Sequence, residues 1–131
     1  MDLITATHEQ DRGWILRLRK HELAVDHLPA DGGTDRGPSP VELLAAALGA
    51  CVGMTVEAWC HARGYTDGPV AVNLTYSLGD QPRRVTALTL DIELPKDVPP
   101  ARHSLIKRLV HGCPVHRTLE IPPVIDVEVV S

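Results

Sequence analysis

Two cysteines of this 131-residue chain have the positions expected of a thiol redox pair. Cys51 lies inside the apolar stretch of residues 39–64, and Cys113 lies in the polar segment HGCPVHRT. Pro114 suits the first position of a short helix with Cys113 as its N-cap, where the helix dipole and basic neighbours favour a thiolate. In such a pair one thiol attacks an oxidant and the other resolves the product. A cysteine that only packs in the core is the alternative for Cys51.

The third cysteine, Cys60, is separated from Cys51 by helix geometry. It follows nine residues later, which places it about 180° further round a straight helix. We therefore interpret Cys60 as filler of the core or the surface. Gly49 and Gly53 form a bare stripe roughly opposite Cys51, and we expect another backbone to approach closely there.

A reactive thiol needs a cation, because an ordinary thiol pKa of about 8.5 leaves it mostly protonated at neutral pH. Arginine suits this task, since it stays charged and can hydrogen-bond both thiolate and oxygen. The candidates are Arg17, Arg19, Arg36 and Arg117. Arg17 and Arg19 are favoured because they share a predicted strand face with Ile15, although each arginine alone is typical of a solvated surface charge.

A metal site is a third possibility for the same segment. His111, Cys113 and His116 follow the order H-x-C-x-x-H, with His103 upstream, and these residue types bind zinc. The spacing is not that of a standard zinc module, and only one cysteine takes part. We expect neither a metal nor a cofactor.

Composition limits the class of protein. Hydrophobic residues make up 44% and charged residues 23%, which is typical of a soluble globular domain. A net charge of −4 and few aromatic residues indicate that nucleic acid is not a partner. The start of the chain lacks a signal-peptide pattern, and three cysteines suit free thiols, so we expect a cytoplasmic protein. No linker divides the chain, which predicts one domain over residues 1–131.

A long central helix is predicted from Ser39 to Gly64. Ser39 and Glu42 form a capping box, Pro40 suits the first helical position, and Gly64 can end the helix. No charged residue occurs between Glu42 and Glu57, so we expect this helix to be buried on every side. The uncharged run is too short for a membrane span.

Alternating and amphipathic patterns define the remaining elements. Strands are predicted over residues 2–7, 13–20, 21–27, 70–78, 84–94 and 124–130. Helices are predicted over 101–112 and over the segment that Cys113 and Pro114 open. The order β-β-β-α-β-β-α-α-β predicts an α+β domain whose sheets wrap the central helix. A chain of this size covers such a helix poorly, so we expect an intimate homodimer with exchanged strands.

The pattern from Asp31 to Leu119 resembles the OsmC/Ohr superfamily. The resemblance is carried by GGTDRGPSPVELLAAALGACVGMTVEAWCHARG together with the later HGCPVHRTL, and CPVHRTL is similar to the OsmC-like branch. It implies an OsmC-like α+β fold, an intertwined homodimer and active sites at the dimer interface. It also implies thiol-dependent reduction of hydroperoxides, organic ones above all. On this pattern Cys51 matches the peroxidatic cysteine and Cys113 the resolving cysteine, with a dithiol such as a lipoyl group as reductant.

Two positions depart from the Ohr pattern. There a glutamate directly follows the proline and pairs with the catalytic arginine, whereas here Val41 follows and the acid is Glu42. Glu42 is thus either a catalytic partner or only a helix cap. The family's arginine comes from an early strand, which matches Arg17 or Arg19.

The sequence therefore predicts a hydroperoxide reductase that uses Cys51 and Cys113. The alternative is a non-catalytic OsmC-like dimer that binds a small apolar ligand or serves in a stress response.

Overall fold

The structure, a computed structural model, describes residues 3–131. The strands are β1 (Ile4–His8), β2 (Trp14–Leu18), β3 (His21–Val25), β4 (Ala71–Gly79) and β5 (Arg84–Glu93). The helices are α1 (Pro40–Ala62), α2 (His103–Leu109) and α3 (Pro114–Glu120). Short 3₁₀ turns lie at Pro29–Asp31, Pro100–Arg102 and Val110–Gly112. The predicted order of elements is confirmed as far as α3.

The chain forms two compact units, one ending at Ala45 and the other spanning Ala46–Ser131. In the first unit β1, β2 and β3 form an antiparallel meander, with Ala6 opposite Leu16 and Leu16 opposite Leu23. The three predicted strands are thereby confirmed, although Asp2, the first predicted strand residue, lies outside the described residues. The single domain predicted over residues 1–131 stays a prediction.

A buried carboxylate organises the loop between β3 and α1. Asp26 accepts hydrogen bonds from the backbone N–H groups of His27, Thr34 and Arg36 and from the Thr34 hydroxyl. Burial raises the pKa of Asp26, but these hydrogen bonds together lower it more, so its pKa lies below the ordinary value. The carboxylate is therefore a structural anchor of the loop.

Two glycines let this loop lie against the preceding strand. A Cβ on Gly33 would meet the carbonyl of His27, and a Cβ on Gly37 would meet the carbonyl of Ala24. Both contacts are with backbone atoms, which cannot rotate away as a side chain could. The glycines of the GGTDRGP segment therefore serve close backbone approach.

The ends of α1 are those the sequence predicts. The Ser39 N–H donates to Glu42 Oε1 at 2.9 Å, and the Glu42 N–H donates to Ser39 Oγ at 3.2 Å, which completes the capping box. At the other end Gly64 adopts φ 75° and the Tyr65 N–H donates to the Cys60 carbonyl.

Complete burial of α1 is a wrong prediction for the single chain. Leu48, Val52 and Val56 are buried, but Met54 on the opposite side is exposed by 73%, and Leu44 in the first turns of the helix is exposed as well. The helix is long and apolar enough to cross a membrane, although its uncharged run was predicted to be too short. Core helices of soluble proteins share this property. The stretch without charges between Glu42 and Glu57 correctly predicted that α1 is apolar. It did not predict which parts of its surface are covered.

The second unit is built on the antiparallel hairpin of β4 and β5, which confirms the predicted pair. Leu74 and Val72 on β4 cover the glycine stripe of α1: a Cβ on Gly49 would lie 3.8 Å from Leu74 Cδ1, and one on Gly53 3.4 Å from Val72 Cγ2. The expected close backbone neighbour is therefore replaced by side chains. The buried core of this unit comprises Leu48, Val52, Val56, Trp59, Cys60, Val98, Ile106 and Cys113.

The predicted strand at 124–130 is wrong for the single chain. Residues after Ile121 form neither helix nor strand, and apolar side chains such as Val124 and Val129 are exposed, Val129 by 96%. A strand exists only when a neighbouring strand accepts its backbone hydrogen bonds. Alternation in the sequence cannot provide that neighbour.

Asp26→Asn should lower the thermal unfolding midpoint by several degrees at neutral pH, because an amide accepts fewer of the loop's hydrogen bonds. The folded pKa of Asp26 is below the unfolded value of about 3.9, so its stabilisation is full above the unfolded pKa and is lost as pH falls through the folded pKa. The difference between wild type and variant should therefore shrink below about pH 4.

Thermal melts followed by circular dichroism over this pH range measure the effect. Asp31→Asn, at an exposed carboxylate in the same loop, is the matched control. A destabilisation by Asp26→Asn that stays constant down to the lowest pH would contradict the anchoring role.

Candidate active site

The structure brings Cys51 and Cys113 together and keeps Cys60 in the core. All three are free thiols. Cys51 is half-buried on α1, and Cys113 is the N-cap of α3, with Pro114 at the first helical position as predicted. Cys51 packs against the buried cluster that contains Cys113, and interaction with Cys51 raises the pKa of the Cys113 thiol. The fold thus brings together two cysteines that lie 62 positions apart in the sequence.

The pKa of the Cys113 thiol is shifted in the direction opposite to the one that its N-cap position predicts. Burial, which leaves Cys113 only 1% exposed, raises the pKa of its thiol, and interaction with Cys51 raises it further. The backbone amides of Val115 and His116 act in the opposite direction with less effect, and they do not form a capping hydrogen bond. The helix N-terminus therefore does favour a Cys113 thiolate, as expected, but burial and Cys51 outweigh it. The pKa of Cys113 lies above its ordinary value.

The exposure of the two thiols sets which one an oxidant reaches. Cys51 is accessible in part, whereas Cys113 lies beneath it in the core. The backbone around Cys51 is satisfied, since the Thr55 hydroxyl donates to the Cys51 carbonyl at 2.9 Å. An incoming oxidant therefore meets Cys51 first.

Cys60 occupies the core, in agreement with its predicted place on α1. It is 2% exposed, and burial raises the pKa of its thiol, with Asp97 and Glu57 adding to the rise. The adjacent Trp59 carries the Arg63 guanidinium over its ring at 4.4 Å from the centroid. This end of α1 is built for packing.

The two favoured arginines lie in the amino-terminal unit. Arg17 is opposite Glu22 in the sheet, and its Nε donates to Glu22 Oε1 at 3.0 Å. Arg19 lies in the turn after β2 with φ 53°, so the expectation that it shares a strand face with Ile15 is wrong. Their role toward Cys51, which lies in the other unit, stays a prediction.

The other candidate groups have visible partners. Arg36 donates to Asp11 at 2.6 Å and to the Gln10 carbonyl at 3.2 Å, which ties the loop before α1 to the turn between β1 and β2. Glu42 completes the capping box of α1, so that role is established, whereas its catalytic role stays a prediction.

A cavity of about 580 Å³ lies in the second unit, among α1, β5, α2 and α3. Leu48, Val52, Leu90 and Ile106 contribute to its apolar wall. Neither Cys51 nor Cys113 lines it. The thiol pair and this cavity are therefore separate features of one unit.

Sequence reasoning missed a polar cluster at the wall of this cavity. His116 Nε2 lies 3.2 Å from Glu120 Oε1, and His111 Nδ1 lies 3.9 Å from the same oxygen. The available signal was the spacing of His116 and Glu120, since residues four apart share one face of a helix. The H-x-C-x-x-H alternative includes Cys113, whereas the structure groups His111 and His116 with Glu120.

Comparison with known proteins supports the fold. A family model described as OsmC-like protein matches residues 32–128. Among curated proteins, none matched the sequence. The α+β class with a long central helix, predicted from the sequence, is confirmed by these comparisons and by the structure.

Three solved structures illustrate the similarity. An OsmC-like protein from Mycoplasma pneumoniae has a TM-score of 0.77 at 22% identity, over 92% of this chain and 87% of the other. An organic hydroperoxide resistance protein from Elizabethkingia anophelis has a TM-score of 0.67 at 20% identity, over 88% and 87%. The organic hydroperoxide resistance protein OhrB of Bacillus subtilis has a TM-score of 0.61 at 20% identity, over 90% and 89%. At such identities the likeness concerns the fold.

Alkylation of the native protein should separate the three thiols. Iodoacetamide is expected to modify Cys51 first, with Cys60 and Cys113 slower by at least about tenfold, because buried thiols react only after local opening. Peptide mass spectrometry over time gives the three rates. In guanidinium chloride the three rates should become equal, and native labelling of Cys113 as fast as Cys51 would refute this order.

Proposed function

Because the chain belongs to the OsmC-like family, we propose that it is a thiol-dependent hydroperoxide reductase that acts through Cys51 and Cys113. The observation that carries the proposal is that Cys51 packs against the core cluster containing Cys113, with Cys51 partly accessible and Cys113 buried. The similarity to two organic hydroperoxide resistance proteins supports a peroxide substrate.

The proposed reaction begins at Cys51. Its thiolate attacks the distal oxygen of a hydroperoxide, the O–O bond breaks, and the alcohol leaves after taking up a proton. The sulfur of Cys51 is thereby oxidised to sulfenic acid. An organic hydroperoxide is the favoured substrate, because apolar side chains dominate the surface of α1 beside Cys51.

Cys113 then resolves the sulfenic acid. Its sulfur attacks the sulfur of Cys51, an S–S bond forms, and water leaves with the proton of Cys113 and the hydroxyl of Cys51. A disulfide needs the sulfur atoms about 2.05 Å apart. Packing of Cys51 against the cluster that contains Cys113 supports such an approach. An external dithiol, of the lipoyl type in this proposal, returns both cysteines to thiols by exchange.

We assign the activation of Cys51 to Arg17 or Arg19. A guanidinium favours the thiolate and can also hydrogen-bond the peroxide. The Arg17–Glu22 pair is exposed at the surface, so breaking it to serve a thiol costs little. Glu42 takes part only if its carboxylate leaves the capping box. The free thiols support a reducing, cytoplasmic location, which cell fractionation tests.

Serine and alanine variants test the division of roles. Cys51→Ser should abolish consumption of cumene hydroperoxide. Cys113→Ser should consume one equivalent and accumulate Cys51 sulfenic acid, which dimedone traps for mass spectrometry. Cys60→Ala is the matched control and should consume peroxide at the wild-type rate.

If the Cys51→Ser variant still consumed cumene hydroperoxide, the proposed role of Cys51 in catalysis would be refuted. In the same assay, Arg17→Ala and Arg19→Ala decide between the two arginines. The activating one should slow sulfenic acid formation at least about tenfold at neutral pH while leaving the crosslink to Cys113 intact.

We further propose that the protein works as a homodimer. The exposed face of α1 around Met54 and the exposed Val124, Val127 and Val129 of the terminal segment are apolar surfaces. Burial of each such side chain stabilises by about 1.5–3 kcal/mol. A second copy with an exchanged terminal strand would cover both surfaces.

Light scattering at micromolar concentration should therefore give twice the mass of the chain. Deletion of residues 122–131 should weaken the dimer, whereas Val124→Thr with Val127→Thr keeps the chain length and should weaken it less. A monomer at micromolar concentration would refute the dimer.

The cavity of about 580 Å³ favours a second candidate function, binding of a small apolar ligand without catalysis. Its wall is mainly apolar, and neither Cys51 nor Cys113 lines it. This candidate gains if excess cumene hydroperoxide leaves all three thiols unchanged.

A further inference from the structure

Three side chains with metal-binding atoms meet where the 3₁₀ turn Val110–Gly112 precedes α3. The ligating atoms of His111, His116 and Glu120 all lie within 4.8 Å of one another. The two imidazole rings lie at 4.7 Å between centroids, and both approach the same carboxylate oxygen of Glu120. Three donors thus converge on one point.

His116 is held in the orientation that a ligand needs. Its Nδ1 lies 3.2 Å from the Val110 carbonyl oxygen. A carbonyl only accepts, so Nδ1 carries a proton, and Nε2 is the nitrogen that faces Glu120. Histidines that bind metals usually hold their second nitrogen in this way.

His116 Nε2 and Glu120 Oε1 lie 3.2 Å apart, a distance at which a proton or a metal ion between them is stabilising. Two lone pairs at this distance repel unless a proton or a metal ion lies between them. A metal with bonds of about 2.1 Å would subtend an angle of about 100° between these atoms, close to tetrahedral. A proton joins only two groups, whereas a metal ion also uses the third donor, His111.

The remaining adjustment is small. His111 Nδ1 lies 3.9 Å from Glu120 Oε1, and the side chains of these two residues are 54% and 48% exposed. Exposed side chains can rotate without disturbing the core, so a bound ion could draw the two imidazoles together. The donor set of two imidazoles and one carboxylate is that of three-ligand zinc sites with an open fourth position.

We propose that His111, His116 and Glu120 form a site for a divalent first-row transition-metal ion of the Zn²⁺ type. It differs from the H-x-C-x-x-H set that the sequence offers, because Cys113 is committed to the core and to Cys51. His103 lines the same cavity but is not part of the cluster.

The location gives the ion access to a ligand. All three residues belong to the wall of the cavity of about 580 Å³. The fourth coordination position can therefore be reached from an apolar space, and not from the side of the thiol pair. This site is independent of the peroxide chemistry proposed above.

Metal titration of the reduced protein tests the site. Calorimetry with Zn²⁺ should give one equivalent per chain, and Glu120→Gln and His116→Ala should each weaken binding at least about tenfold. His103→Ala is the matched control and should bind as wild type does. Glu120→Gln keeps the shape of the side chain, and its thermal midpoint shows that the variant is folded.

A variant in which Cys51 and Cys113 are both replaced by serine distinguishes this site from one formed by the two thiols. Cys51→Ser with Cys113→Ser should keep the affinity, and Co²⁺ should show tetrahedral ligand-field bands without a thiolate charge-transfer band. The proposal is overturned by loss of binding in the double serine variant, by a thiolate band, by equal binding of wild type and Glu120→Gln, or by no saturable binding.

Discussion

The packing of Cys51 against the core cluster that contains Cys113 is the constraint on which the second unit's chemistry would depend. The core holds both thiols in place. Burial raises the pKa of Cys113, while Cys51 stays partly accessible. The two thiols therefore differ in exposure, as the proposed division of roles requires.

The segment that carries Cys113 also carries the histidine and glutamate cluster. Cys113 points into the core, whereas His116, three residues later, lines the cavity with Glu120. One short helix thus presents a sulfur to one neighbour and an imidazole to another. The proximity of the two sites follows from this helix, and each keeps its own chemistry.

Helix caps, which depend on neighbouring residues, were predictable from the sequence, whereas the surroundings of each helix and strand were not. The capping box of Ser39 and Glu42, the left-handed Gly64 and the N-cap position of Cys113 each depend on a few adjacent residues. Complete burial of α1 and the strand at 124–130 depend on what lies beside them, which the pattern of one chain does not contain. The pairing of Cys51 with Cys113 was predicted from a core helix and a helix N-cap, and the family resemblance supplied the peroxidatic and resolving roles. The spacing of His116 and Glu120 is readable in the sequence, but the approach of His111 to Glu120 is not.

The central claim is that Cys51 and Cys113 form a redox pair, and a peptide map tests it most directly. The reduced wild-type protein is treated with one equivalent of cumene hydroperoxide, alkylated and digested without reductant. The account predicts one disulfide-linked peptide pair containing Cys51 and Cys113, with Cys60 recovered as a free thiol. Both cysteines recovered as free thiols after peroxide exposure, or a crosslink that includes Cys60, would contradict it.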